Sequence, residues 1–369
     1  MTTHCRSEND DFSADWIGLV TFSGALFMLV FALIEGNEDG WGSTRIVSLL
    51  LGALVLFIAF VVAELKQERP MLDLSLFRKP AFTGASIVAF SVSASIFAMF
   101  LYLTLYIQDV LGYTALQAGL RFLPITLLSF VAAPIAGRLS VRMPVRYLLG
   151  GGLLLVGIGL LGMTAIDSTS GWTTLIPGFA VTGVGIGLIN PPLASTAIGV
   201  VHYSRSGMAS GINSTFRQVG IATGIAGLGA VFQHDVLNTT TSRLGGQLPA
   251  VQAAAHGHLN TLLQSGEVKQ VFHALSPAAQ AALKHSYRVG FTEAFDHILL
   301  IAAGIAFVGA VCALVLVRQR DFVASQSGAG EQALDALPGG AQDPGVGLAL
   351  DGDVPVLDQA KLSQAHQEL

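Results

Sequence analysis

Long apolar runs without a single Asp, Glu, Lys or Arg recur along the chain, separated by polar segments. Eight can be delimited, at residues 16–34, 46–63, 80–108, 122–137, 147–166, 168–204, 218–233 and 298–317. A helix of about 20 apolar residues crosses the hydrocarbon core of a bilayer. Most of the runs reach that length or come within a turn of it. A helix also satisfies its own backbone hydrogen bonds, which lipid cannot do. The pattern therefore predicts an all-α integral membrane protein with eight spans, its first partner being the lipid bilayer.

The charges between the runs predict an orientation, because short loops rich in Lys and Arg stay in the cytoplasm. The second loop holds Lys66, Arg69, Arg78 and Lys79, and the fourth holds Arg138, Arg142 and Arg146. The sixth holds Arg205, and Arg318 and Arg320 follow the last run. The first loop has only Arg45, the third only Arg121 where span four opens, and the fifth no basic residue. Even loops and both termini are thus expected in the cytoplasm, which implies a multi-pass protein of the plasma (inner) membrane. Trp41 and Trp172 then fall in outside loops, where interfacial aromatics belong. The seventh loop, 234–297, is long and expected outside. It is either a loosely structured cap or partly helical, over 249–263 and again after Ser276-Pro277, where Ser can cap and Pro can open a helix. Residues 1–15 form a polar N-terminal segment without a signal peptide's basic and apolar regions. The tail 321–369, rich in Gly, Gln, Ala and Asp, is expected to be disordered.

Composition agrees with this picture and removes alternatives. Charged residues make up 12% of the chain, against roughly 25% in soluble domains. The net charge of −5 and the lack of a long basic tract give no nucleic-acid partner. Cys5 and Cys312 are too far apart in the chain to suggest a disulfide framework. The 42 glycines suit helices that pack backbone to backbone in lipid. No nucleophile or metal-ligand constellation appears, so no enzyme and no cofactor are predicted.

Three features could carry function. Span three mixes small polar and aromatic residues, and helical spacing puts Ser91, Ser95 and Tyr102 on one face. That face is either ordinary packing or part of a cavity for lipophilic or cationic molecules, which aromatic rings attract. Asn190-Pro191-Pro192 lies within the sixth span. Proline removes a backbone donor and kinks or breaks a helix, so a helix break is expected there, either as a mid-membrane ligand site or as a packing kink. Arg217 lies in the seventh span with Asn213 one turn earlier and Gln218 beside it. An intramembrane Arg costs about 2.5–3.5 kcal/mol on insertion scales. It must face the bundle interior or snorkel to the inner surface. No Asp or Glu lies deep within a span; Glu35, Glu64, Asp109 and Asp296 sit at span ends.

A series of motifs in fixed order adds a resemblance. It comprises Pro70-Met-Leu-Asp-Leu-Ser-Leu-Phe-Arg-Lys-Pro-Ala-Phe82, Tyr106-Ile-Gln-Asp-Val-Leu-Gly112, Gln117-Ala-Gly-Leu-Arg-Phe-Leu-Pro124, Gly183-Val-Gly-Ile-Gly-Leu-Ile-Asn-Pro-Pro192 and Ala209-Ser-Gly-Ile-Asn-Ser-Thr-Phe-Arg-Gln-Val-Gly220. The series resembles the fourteen-helix drug/proton antiporter branch of the major facilitator superfamily, over about residues 12–320. The resemblance implies a linker helix pair and connector at 16–79, then the C-terminal six-helix transporter half at 80–320. The family's first six helices, which hold its proton-coupling carboxylates, would precede Met1. A separate N-terminal half is therefore an implied partner, and a proton gradient the implied energy source. The segment Gly137-Arg-Leu-Ser-Val-Arg-Met-Pro-Val-Arg146 is similar to the superfamily's gating loop at Gly137, Leu139, Arg142 and Arg146, with Val141 in place of its Asp. The function implied is proton-coupled efflux of small molecules by alternating access. The alternative is a non-transporting remnant or a membrane scaffold.

Overall fold

The computed structural model describes residues 16–67, 72, 74–164, 170–201, 205–245, 249, 251 and 275–318. The N-terminal segment 1–15, the tail 321–369 and nearly all of the stretch 249–263 lie outside them. Among the described residues the chain is helical, with no strand. In order, the helices are α1 (Trp16–Asp39), α2 (Thr44–Lys66), a short 3₁₀ turn (Leu74–Arg78), α3 (Pro80–Leu105), α4 (Ala115–Arg121), α5 (Leu123–Arg142), α6 (Val145–Leu161), α7 (Ile176–Gly199), α8 (Ser206–Leu244) and α9 (Pro277–Leu316).

Each of the eight apolar runs lies largely within one long helix. Among the described residues, six helices are long and apolar enough to cross a bilayer. α6 is apolar but has 17 residues. α8 is long, but Asn213, Arg217 and Gln218 dilute its hydropathy.

Two lengths depart from the sequence pattern. α8 has 39 residues and α9 has 40, roughly 60 Å each at 1.5 Å per residue, twice the core of about 30 Å. Residues 234–244 are therefore helix where a loop was expected, and 277–297 take the helical alternative that opens at Ser276-Pro277. The reason is tertiary as well as local. Ser276 caps α9 by accepting a hydrogen bond from the amide of Ala279, with Pro277 in the first turn. Leu283 and Phe291 are then buried, and Gly290 packs against Thr240 and Val236 of α8. Apolar contact and close packing sustain both helices past the apolar runs.

The bundle is built by pairing. α5 and α6 both pack on α7, α6 packs on α9, and α3, α8 and α9 pack on one another. Gly220 and Gly224 bring α8 onto α3. A Cβ at Gly220 would lie 2.5 Å from the carbonyl oxygen of Phe90, and one at Gly224 would overlap the backbone of Ala94. Gly207 and Gly211 of the same helix face open space. α1 and α2 pack on each other, and α1 touches α8. Phe60 of α2 is buried with Phe82 of α3 and Ile212 of α8. Much of the remaining surface of α1 and α2 is exposed Leu, Ile, Val and Phe, as a lipid-facing pair requires.

The connections are fastened by specific polar contacts. The Glu64 carboxylate accepts from the amide of Leu72 in the connector. The Lys79 ammonium donates to the carbonyl of Val200 at 2.7 Å, at the C-terminus of α7, where the helix dipole favours a cation. At the other end of the bundle α3 finishes in a π turn over Tyr106–Val110. Thr114 and Gln117 form a capping box at the start of α4. Arg121 lies over the ring of Tyr113 at 3.4 Å and that of Trp172 at 5.3 Å.

Candidate substrate cleft

Between α3, α5, α7 and α8 lies a cleft of about 420 Å³. α3 contributes Ser93, Phe97 and Phe100, and α5 contributes Thr126, Ser129 and Phe130. Ile186 and Asn190 come from α7 and Arg217 from α8. The walls are apolar and aromatic, with a few polar groups, as in most small-molecule sites. Phe100 is held edge-on against Phe122 at 5.4 Å, and Phe122 in turn packs on Phe179.

Arg217 is the only charged residue in this lining. It lies eleven residues past the start of α8, roughly 16 Å along the helix at 1.5 Å per residue. Among the described residues no carboxylate pairs with it and no hydrogen bond holds its guanidinium. The Ser93 hydroxyl, on the same lining, is buried without a hydrogen-bond partner. So is the Asn213 carbonyl, one turn before Arg217.

The structure separates the candidate residues. Asn190 and Arg217 come together in the cleft. Asn213 is half-buried nearby without lining it, and Gln218 is exposed. Ser91, Ser95 and Tyr102 share a face, and that face is helix packing. Ser91 meets Gly309 of α9, Ser95 donates to the carbonyl of Ala302, and the Tyr102 ring lies 4.5 Å from that of Phe232 in α8. The cleft takes instead the opposite face of α3, with Ser93, Phe97 and Phe100. Their spacing was equally visible in the sequence, but nothing there distinguished the two faces.

Two local expectations change. α7 runs unbroken through Asn190, Pro191 and Pro192 to Gly199. Proline's fixed φ is compatible with helix, and its cost here is the two missing amide donors. The hydroxyl of Thr196 donates to the Pro192 carbonyl at 2.7 Å one turn on. The segment expected as a gating loop is also mostly helix. Gly137 and Leu139 lie in the last turns of α5, Arg142 ends that helix, and α6 opens at Val145. Arg142 is exposed, while Arg146 donates to the Tyr147 hydroxyl at 2.8 Å. Among the described residues neither arginine pairs with a carboxylate. No cluster of metal-ligating side chains occurs among the described residues.

Comparison with known proteins fits this architecture. The family model of the Major Facilitator Superfamily matches residues 14–225. Multidrug resistance protein Stp of Mycobacterium tuberculosis is 34% identical over 217 residues, 59% of this chain and 40% of that protein. The probable actinorhodin transporter of Streptomyces coelicolor is 34% identical over 226 residues, 59% of this chain and 39% of that protein. The tetracenomycin C resistance and export protein of Streptomyces glaucescens is 28% identical over 256 residues, 69% of this chain and 46% of that protein. The chain thus spans less than half the length of these relatives. Among solved structures, a bacterial homolog of the human lysosomal transporter Spinster, in its inward-facing and occupied conformation, is similar at 16% identity with a TM-score of 0.44, over 83% of this chain and 68% of that one. With more than half of its residues matched by the family model, on helices built to cross a membrane, this chain belongs to the Major Facilitator Superfamily.

Proposed function

We propose that the chain supplies the linker pair (16–79) and the C-terminal six-helix half (80–320) of a proton-coupled drug or small-molecule efflux transporter of the inner membrane. The observation that carries this reading is the cleft between α3, α5, α7 and α8. It combines aromatic walls with Asn190 and Arg217, and is large enough for a small organic molecule. In an alternating-access cycle this cleft would be one wall of the substrate cavity, completed by a complementary six-helix bundle. The relatives' greater length supports such a bundle. The cleft lining holds no Asp or Glu, so the proton-titrating carboxylate is assigned to that complementary bundle. The distribution of Lys and Arg supports cytoplasmic termini. The basic residues at the α5–α6 junction, Arg142 and Arg146, would then face the cytoplasm and act at the inner gate.

The test is dye efflux from an efflux-deficient bacterial host expressing the chain with and without a complementary six-helix half. The expected result is efflux that needs both parts, collapses with an uncoupler, and is lost when Ser129→Trp fills the cleft. Undiminished efflux by a well-expressed Ser129→Trp protein would move the substrate path elsewhere. Efflux by the chain alone would remove the need for the complementary bundle.

A further inference from the structure

We infer that the cleft selects amphipathic aromatic molecules presenting an anionic oxygen, a carboxylate or phenolate, to Arg217, and that it discriminates against organic cations. The inference rests on the cleft being the substrate cavity, and it narrows what that cavity accepts.

The argument is one of charge and position. A guanidinium keeps its positive charge, and leaving it without a counter-ion inside a bundle of apolar helices is costly. Arg217 is so placed among the described residues: it borders an open cleft and neither an acid nor a hydrogen bond compensates it. A ligand anion would supply what the protein lacks, in a medium where charge-assisted, bidentate hydrogen bonds are strong. Asn190 and the unpartnered Ser93 hydroxyl stand on the same lining and can donate to further oxygens. Phe97, Phe100 and Phe130 line the rest and match a flat ring system. A cation would gain from those rings but would meet Arg217 with no carboxylate in the lining to offset the repulsion. The arrangement therefore favours negative charge, although aromatic walls by themselves would suit either sign.

Two dyes of one ring system test this: fluorescein, which carries a carboxylate and a phenolate, and cationic rhodamine 123. Binding is read by fluorescence anisotropy on the purified full chain in detergent, and export in cells that also hold the complementary half. The unmodified chain should bind fluorescein at least 10-fold tighter than rhodamine 123. Arg217→Gln should erase that preference, and Arg217→Lys should keep part of it because the charge remains. Equal losses for both dyes in Arg217→Gln would mean that Arg217 supports structure, for instance by pairing with an acid of the complementary bundle, and would overturn the inference. So would stronger binding of rhodamine by the unmodified chain, or no binding of either dye. Selective fluorescein binding without export would leave the inference standing and remove the transport reading.

Discussion

The Ser95 hydroxyl donates to the carbonyl of Ala302 at 3.0 Å, tying α3 to α9 across the interior of the bundle, and also bonds back to Ser91 one turn earlier at 2.8 Å. A small polar residue in a membrane helix is thus used for assembly, with backbone as its partner. In lipid such interhelical bonds average about 0.6 kcal/mol. Ser95→Ala should therefore lower the thermal midpoint of the purified protein slightly and leave its dye preference unchanged. An altered preference with an unchanged midpoint would return Ser95 to the substrate site.

Ser93 should behave in the opposite way. Its hydroxyl is buried at the cleft without a partner, and a buried donor left unmade costs about 1–3 kcal/mol. Ser93→Ala is expected to hold or raise the thermal midpoint and to weaken ligand binding severalfold. A clear drop in stability would reveal a partner that the geometry does not show.

Glycines of α8 divide by what faces them. Gly224→Val would drive a side chain into the α3 backbone at Ala94, and overpacking of this kind costs about 1–3 kcal/mol or more. Gly211→Ala meets open space and should gain up to about 1 kcal/mol from helix propensity. Thermal unfolding monitored by size-exclusion chromatography would compare the two. Equal effects would refute the α3–α8 crossing described above.

Lys79 closes the C-terminus of α7 through the Val200 carbonyl. Hydrogen bonds to charged groups contribute about 1.5–3 kcal/mol, so Lys79→Met should lower the thermal midpoint by several degrees while Lys79→Arg largely preserves it. Identical behaviour of the two variants would show that the charge at this helix end contributes nothing.

The surface pair Arg243–Glu293, 2.6 Å apart, joins the extensions of α8 and α9 with both side chains nearly half exposed. Exposed pairs contribute about 0–1 kcal/mol. Arg243→Gln should shift the midpoint by no more than a degree or two, less in high salt. A large loss would mean that the extended hairpin depends on this contact more than on the buried Leu283 and Phe291.

Apolarity along the chain was enough to locate every long helix, because a bilayer admits few other backbones and demands a minimum length of each. Motif order was enough to point to the family. Helical period also grouped Ser91, Ser95 and Tyr102 correctly on one face of α3. It could not say which face meets α8 and α9 and which opens on the cleft, since both carry serines and aromatic rings. That choice depends on where the neighbouring helices sit, and Gly220 and Gly224 set that by close contact with α3. The length of α8 was likewise hidden. Residues 234–244 are too polar to read as a membrane span and become helix by packing against α9, whereas Ser276-Pro277 marked a possible helix start and the burial of Leu283 and Phe291 decided for it. The isolation of Arg217 was also a tertiary fact: sequence placed a charge in a span, and only the packing of four helices left it beside open space with no acid among the described residues.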